Sequence, residues 1–294
     1  MRATAPLTLL LAALAALAAC SPAPGAGPGS RPPDPVREVR TGADIVLPFD
    51  AYLMTADQER TVARAEQLLA GDCLRRFGLD WRPAASPPDS AGPVNAQRYG
   101  LIDPAEAERL GYHPLPRPAA EAAPEPTPEV VTAYGGKGGA ELNGVPVPEG
   151  GCLGEARRTL GVGRFSQGSI ELNRIPTDSF TRAGKDPRTV AATAEWSACM
   201  QRAGYSYPDI WRANDDPRWN AAQPSELERA TARADVACKT ATRLPTVLLT
   251  VESELQRAAI EAHRPALDRA REHQGAVLAK AAEVLGAPAG QPSR

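Results

Sequence analysis

Apolar residues recur at three- and four-residue steps in several stretches of the chain, which is the spacing of a helix with one buried face. In the first such stretch they are Val62, Ala65, Leu68, Leu69 and Cys73. Thr55 and Gln58 are spaced as a capping box at its start, and Gly78 is typical of a left-handed residue just past a helix end. The pattern therefore predicts a helix that begins after Thr55 and carries Cys73 on its buried side.

A second stretch has similar helix start and stop signals. Asp186 is suited to an N-cap, Pro187 to the first helical position, and Gly204 to the turn past the end. Its predicted apolar face consists of Val190, Ala194, either Trp196 or Ala198, and Cys199. This pattern predicts a second helix that ends in a cysteine and a glycine.

The two helix ends are related in sequence. Cys73–Trp81 and Cys199–Tyr207 both read Cys, Leu or Met, any residue, Arg, any residue, Gly, an apolar or aromatic residue, any residue, then Trp or Tyr. Each copy is followed downstream by one more cysteine, Cys152 and Cys238 respectively. The chain thus contains a repeated helix-end unit with a cysteine partner for each copy.

The C-terminal third is the longest helical pattern. Ser225 and Glu228 are spaced as another capping box, and the run that follows puts Leu227, Ala234 and Cys238 on one side. From Pro245 the predicted apolar face continues until Pro265, which should kink or break the helix, and then resumes to the end of the pattern. These apolar positions are Leu248, Val251, Leu255, Ala258, Ala262, Leu278, Ala281 and Leu285. The charged positions are predicted to face solvent; they are Glu252, Glu254, Arg257, Glu261 and Arg264.

The fold class that follows is mostly α: a disulfide-stapled helical domain over residues 44–286, with lobes over 44–165 and 186–286 as one arrangement. A Pro/Gly-rich insertion separates the two repeats, and residues 82–148 show little periodicity. Within it, short helices are predicted from Asp103 to Gly111 and from Gly150 to Leu160. Pro114–Pro128, with its six prolines, is predicted to be mobile. Tyr134–Gly139 is rich in glycine but lacks the spacing of a phosphate-binding loop.

The N-terminus indicates export. Leu7–Ala19 is apolar, but thirteen residues are too few for a membrane-spanning helix. The segment ends in Leu17-Ala18-Ala19-Cys20, which resembles the lipobox of bacterial lipoproteins. That resemblance implies cleavage before Cys20 and attachment of a diacylglyceryl group, with acyl chains such as palmitate, to its thiol. We accordingly expect a signal peptide over 1–19, a flexible tether over 20–43, a disordered tail over 287–294, and a location on the outer face of the cytoplasmic membrane.

Four cysteines remain after Cys20, and an oxidising compartment would allow them to pair. Three connectivities exist for four cysteines, and Cys73–Cys152 with Cys199–Cys238 is favoured because each repeat then has its own partner. Zinc is the alternative, but no two cysteines have the C-x₂₋₄-C spacing of a zinc site. We therefore expect two disulfides, no metal and no cofactor.

Charge and composition restrict the partners. The formal net charge is -2, which argues against nucleic acid because that would require a basic face. Histidines His113, His263 and His273 show no metal or catalytic spacing. Asp80, Glu155, Glu195 and Asp209 accompany the cysteine helices, and two of them at the right separation would suit a cell-wall hydrolase. No catalytic constellation is evident, so catalysis is not expected.

One aromatic cluster is a binding candidate. It comprises Trp196, Tyr205, Tyr207, Trp211 and Trp219, interleaved with Arg202, Arg212 and Arg218. Such residues either pack in the core or present a face to a sugar ring or a partner protein. Trp211 and Trp219 lie in an Asp-, Asn- and Pro-rich segment, so we take Tyr207, Trp211, Arg212 and Trp219 as the predicted ligand-binding residues.

Several short stretches resemble an uncharacterised family of exported actinobacterial lipoproteins with a four-cysteine helical framework. They are Leu47–Tyr52, Cys73–Gly78, Arg98–Gly100, Gly111–His113, Gly150–Ala156 and Ala234–Cys238. The resemblance implies a helical architecture and a surface location, and it carries no catalytic residue. The function expected is binding or interaction at the cell envelope. The partner would be an envelope protein docked by the C-terminal helices or the aromatic segment, or else a cell-wall glycan or peptide.

Overall fold

The computed structural model describes residues 38–83, 93–114, 124–136, 139–163 and 172–286. The predicted signal peptide, Cys20, most of the predicted tether, the C-terminal tail, and parts of the proline-rich and glycine-rich segments lie outside these ranges. The described residues belong to one compact unit.

This part of the chain is almost entirely helical, as predicted. It contains nine α-helices: α1 (Ala56–Arg76), α2 (Pro104–Leu110), α3 (Pro128–Gly135), α4 (Gly151–Leu160), α5 (Ile175–Ala183), α6 (Pro187–Arg202), α7 (Ile210–Asn214), α8 (Glu226–Thr242) and α9 (Leu244–Gly286). Short 3₁₀ turns occupy Gly42–Asp44, Pro48–Tyr52 and Pro217–Trp219. Strands β1 (Glu141–Leu142) and β2 (Val145–Pro146) form a small antiparallel hairpin, which periodicity did not reveal.

Several predicted helix caps are confirmed. Thr55 and Gln58 form the capping box of α1. Asp186 caps α6, with Pro187 at its first position. Asp103 caps α2 and Gly161 ends α4.

The repeated sequence encodes the same C-terminal cap twice. Gly78 and Gly204 both have a positive φ, of 74° and 91°. The amide of the next residue then donates to a carbonyl five residues back, from Leu79 to Leu74 and from Tyr205 to Met200, at 3.1 and 2.9 Å. This is the Schellman arrangement, which needs a glycine where φ is positive.

The disulfides pair as the repeat predicted. Cys73 bonds to Cys152 and fastens α1 to α4, and Cys199 bonds to Cys238 and fastens α6 to α8. An apolar cluster surrounds the first bridge, including Leu74, Phe77 and Ala133. The largest cluster surrounds the second, with Trp196, Met200 and Tyr99 all buried. The cysteines are therefore structural, and the zinc alternative is excluded for them.

Helix α9 runs through the whole domain. It packs on α6 near its start, on α5 near its middle, and on α1 and α4 near its end. The helix does not end at Pro265, which is exposed. The carbonyl of exposed Glu261, which proline leaves without its helical donor, can therefore be hydrated. None of the helices in the described ranges, α9 included, combines the length and apolarity needed to cross a membrane.

The predicted buried faces of α6, α8 and α9 are partly wrong. Val190 and Ala194 are exposed on α6, Leu227 on α8, and Ala258 and Ala262 on α9. Polar residues replace them in the interior, and these are Thr189, Glu228, Asp235, Lys239, Glu252 and Gln256. Hydrophobic periodicity cannot find such a face because its members are charged or polar and are buried through mutual hydrogen bonds.

The predicted tether extends too far. Val39 is buried, and its amide donates to Thr246 Oγ1 on α9 at 3.0 Å. Gly42 packs against the backbone of Ala96, where an added Cβ would stand 2.3 Å from the carbonyl oxygen. Residues 38–43 are thus part of the folded domain.

Candidate ligand-binding cleft

A cleft of about 410 Å³ opens between three segments that are distant in sequence. They are the residues around Gly42 and Ala96, the region from Gly100 through α2 to Pro114, and helix α7. We call this cavity the Trp211 cleft. Its polar and aromatic lining consists of Thr41, Gln97, Asp103, Glu106, Tyr112, His113, Trp211 and Asn214. Its volume falls within the range of about 300–1,000 Å³ that is usual for small-molecule sites.

One wall is fixed to the 3₁₀ turn at Pro48–Tyr52. The Nδ2 group of buried Asn95 donates to Asp50 Oδ2 at 2.8 Å. Beyond it, Arg98 Nε donates to Glu252 Oε1 at 2.9 Å and Tyr99 OH donates to Glu252 Oε2 at 2.9 Å. Glu252 is fully buried on α9, so this ion pair ties the cleft wall to the longest helix in the domain.

The first turn of α2 supplies two carboxylates. Asp103 Oδ1 accepts the amides of Ala105 and Glu106 at 2.7 and 3.1 Å, as an N-cap does. Glu106 lies on the same turn and also lines the cleft. Burial is the main cause that raises the pKa of Glu106 above its ordinary value, and the charge of Asp103 adds to it. Arg109 opposes the shift. No lysine or arginine is among the described residues that line the cleft.

The opposite wall is the turn Gly111–Tyr112–His113, which is held by α8. Glu228 Oε1 accepts the Tyr112 amide at 2.9 Å and lies 2.8 Å from His113 Nδ1. The Tyr112 hydroxyl donates to Asp235 Oδ2 at 3.2 Å. Gly111 has a φ of 59°, and an added Cβ would stand 2.7 Å from the Glu228 carboxylate. Only glycine fits where the turn meets α8.

Trp211 borders the cleft from α7. Asp209 caps this short helix by accepting the amides of Trp211 and Arg212, both at 2.9 Å. The indole packs edge-on against Phe180, with 5.8 Å between ring centroids, and remains 39% exposed. Phe180 is in turn covered by the Arg98 guanidinium, 5.2 Å from its centroid. An exposed indole is thus held in a fixed position beside polar groups.

The structure separates the four predicted ligand-binding residues. Trp211 alone lines the cleft, and Arg212 is exposed beside it without lining it. Trp219 and Tyr207 are each only 7% exposed. Trp219 stacks on Tyr112 with centroids 5.8 Å apart, and its Nε1 donates to the Ala213 carbonyl. Its prediction as a contact residue is corrected, because its ring supports the cleft wall from behind.

Tyr207 also has an internal role. Its hydroxyl donates to Asp216 Oδ2 at 2.7 Å and accepts from Arg218 at 2.6 Å. Burial, and next the hydrogen bond to Asp216, raise the pKa of Tyr207 to about 12. The Arg218 guanidinium holds the pKa of Asp216 well below its ordinary value. This trio fastens the segment after α7, so Tyr207 is no longer a candidate for ligand contact.

The four acidic residues considered for hydrolysis do not line the Trp211 cleft. Glu155 pairs with Arg76 at 2.7 Å, and Asp209 is committed to the α7 cap. Asp80 and Glu195 are exposed on other elements. Within the described residues, no three His, Cys, Asp or Glu side chains are placed to hold a metal ion.

Sequence reasoning missed most of the cleft. Gln97, Asp103, Glu106 and His113 come from segments that only the tertiary fold brings to Trp211. Two stretches that carry the family resemblance, Arg98–Gly100 and Gly111–His113, contribute to the cleft walls.

No family model matches this chain, and neither a curated protein nor a solved structure matches it. An exposed indole beside carboxylate, amide and hydroxyl groups can stack on a sugar ring or an apolar group while accepting hydrogen bonds from hydroxyls and amines. The cleft is suited to a polar ligand that donates hydrogen bonds.

Proposed function

We propose that this protein is a lipid-anchored lipoprotein on the outer face of the cytoplasmic membrane that binds a cell-wall fragment in the Trp211 cleft. The observation that carries the proposal is the exposed Trp211 indole beside Asp103 and Glu106, in a cavity lined by no lysine or arginine among the described residues. Saccharides and amine-bearing wall peptides present the hydroxyl and ammonium donors that these carboxylates accept. Binding rather than catalysis is proposed.

The anchor is supported by the lipobox at Leu17–Cys20 and by the disulfides, which form in oxidising compartments. Membrane fractionation of cells that express the full chain tests it directly. The wild type is expected in the membrane fraction, with a diacylglyceryl mass on a peptide that begins at Cys20. The Cys20→Ser variant, which lacks the thiol, is expected to keep its signal peptide and to carry no diacylglyceryl group. An unmodified Cys20 in the wild type would refute the anchor.

The cleft is tested by equilibrium dialysis of the full-length protein in detergent against soluble disaccharide muropeptides. Trp211→Ala is expected to weaken binding roughly tenfold, because removing an aromatic anchor typically costs about 1–2 kcal/mol. Glu106→Gln is expected to weaken it as well, since the acceptor loses its charge.

Leu227→Ala is the matched control because this side chain is exposed on α8 and does not line the cleft. It should leave the affinity unchanged. Equal binding by Trp211→Ala and the wild type would exclude the cleft as the site. Weakened binding by Arg212→Ala alone would move the site to the outer face of α7.

An alternative route to a partner, docking through the C-terminal helices, has less support. The apolar side chains Leu248, Val251, Ile260, Leu267 and Val277 of α9 are buried within the domain. Their face is therefore already covered by the chain's own elements, so the cleft is the better candidate.

A further inference from the structure

His113 is held between two acceptors on two different segments. Its Nδ1 lies 2.8 Å from Glu228 Oε1 on α8, and its Nε2 lies 2.8 Å from the Ala221 carbonyl oxygen. A neutral imidazole carries one ring proton and can donate from one nitrogen only. Both short contacts are satisfied when Nε2 carries a proton and a second proton lies between Nδ1 and Oε1. The geometry thus requires two protons on the His113–Glu228 pair.

The environment of Glu228 makes that second proton important. The carboxylate is fully buried, and its Oε2 has no hydrogen-bond donor among the described residues. Asp235 and Lys239, further along α8, form their own ion pair at 2.9 Å. His113 is the one basic group in hydrogen-bond contact with Glu228 in the described structure.

The pair also sets the position of the cleft wall. Glu228 Oε1 accepts the Tyr112 amide as well as facing His113, and Gly111 brings the turn into contact with the same carboxylate. When the shared proton is lost, two lone pairs face each other at 2.8 Å and the buried carboxylate keeps its charge. The turn is then pushed away from α8, and Tyr112 and His113 move in the wall of the cleft.

We propose that His113 is a positioning residue for the cleft ligand, and that its protonated pair with Glu228 holds the binding wall closed at low pH. This inference rests on the proposed function, because it concerns the same cleft. Across the cavity, Asp103 and Glu106 are the carboxylates that line the same cleft, and Tyr112 is the remaining titratable group in its described lining.

The direction of the pH effect is determined by His113. The hydrogen bond to the Ala221 carbonyl is the main cause that raises the pKa of His113 above its ordinary 6.5, and the hydrogen bond to Glu228 adds to it. The pKa of His113 is higher in the folded than in the unfolded state. The protonated His113–Glu228 pair is therefore fully formed below about pH 6.5 and is lost as the pH rises through the folded pKa.

The first test needs no ligand. The chain has three histidines, so their ring signals in NMR can be assigned with His113→Gln, His263→Gln and His273→Gln. One imidazole is expected to titrate above 6.5, to vanish in His113→Gln and to titrate lower in Glu228→Gln. Hydrogen exchange of the Tyr112 amide should accelerate beyond its intrinsic pH dependence over the same range. An ordinary pKa for His113, or a Tyr112 amide that follows its intrinsic rate, overturns the inference.

The second test measures muropeptide affinity from pH 5.5 to 9. The wild type and the control His263→Gln are expected to lose about fivefold or more in affinity as the pH rises, in line with ordinary coupling energies. His113→Gln should show a profile without this step. Affinity that is independent of pH in all three proteins overturns the inference and leaves the proposed function intact. A raised His113 pKa with no binding at any pH refutes the proposed function and with it the ligand role of His113.

Discussion

Lys239 and Asp235 lie one turn apart on α8, and both side chains are buried. Lys239 Nζ donates to Asp235 Oδ2 at 2.9 Å and to the Leu101 carbonyl at 2.8 Å. Asp235 also accepts from Trp196 Nε1 at 2.9 Å and from the Tyr112 hydroxyl. The pair therefore joins α6, α8 and the cleft wall through buried charges that are hydrogen-bonded to their neighbours.

Lys239→Met should leave Asp235 as a buried charge without its counter-ion. We expect a loss of about 3–5 kcal/mol in the free energy of unfolding, measured by urea denaturation. Lys280→Met is the matched control, because its pair with Glu283 is at the surface and should contribute less than about 1 kcal/mol. Equal losses for the two variants would contradict the structural role of the buried pair.

The loss in the free energy of unfolding caused by Lys239→Met should also depend on pH. Burial is the largest influence on the pKa of Asp235 and raises it, while Lys239 opposes this shift. Without Lys239 the carboxyl should bind a proton more readily in the folded state than in the unfolded state. The variant is therefore expected to become less stable, relative to the wild type, as the pH rises from 4 to 8. The same denaturation series at several pH values measures it, and an unchanged difference would contradict it.

At the scale of elements, helix boundaries and covalent links were predictable, and buried polar faces were not. Thr55, Asp103, Asp186 and the glycines at helix ends act locally, so a short sequence window contains the whole signal. By contrast, Glu252 is buried because Arg98 and Tyr99, about 150 residues away in sequence, satisfy it. Such partners come together only in the folded chain, and the same applies to the cleft, of which only Trp211 was identified in advance.

The turn at Gly111 offers a test at this scale. Gly111→Ala places a Cβ 2.7 Å from the Glu228 carboxylate at a positive φ, whereas Gly78→Ala has the positive φ but no atom within 4 Å. We expect Gly78→Ala to lower the free energy of unfolding by about 1 kcal/mol, and Gly111→Ala by clearly more. Thermal denaturation of both variants measures the difference. A Gly111 variant no worse than the Gly78 variant would show that the turn does not pack on α8.

At the scale of the molecule, α9 joins the two regions that carry the repeats. It contacts α1, which bears Cys73, and α6, which bears Cys199. The described residues thus form one compact unit instead of two lobes over 44–165 and 186–286, and a single helix packs on elements from both regions.

One unit should unfold in one transition. Leu74→Ala lies in the core around the first disulfide and Leu248→Ala in the core around the second. Each is expected to lower the midpoint of the same calorimetric transition, at a cost of about 2–5 kcal/mol. Two separate transitions, each shifted by only one of the variants, would contradict a single folding unit and favour the two lobes.

Binding of a cell-wall ligand in the Trp211 cleft can be observed at the tryptophan side chains themselves. The most direct measurement is NMR of full-length protein labelled with ¹⁵N in its four tryptophans, titrated with disaccharide muropeptides. Trp81 serves as the internal control, because it packs against Tyr134 away from the cleft. We expect a saturable shift of the Trp211 indole signal while the Trp81 signal stays fixed. A Trp211 signal that does not move, or four signals that move alike, would contradict it.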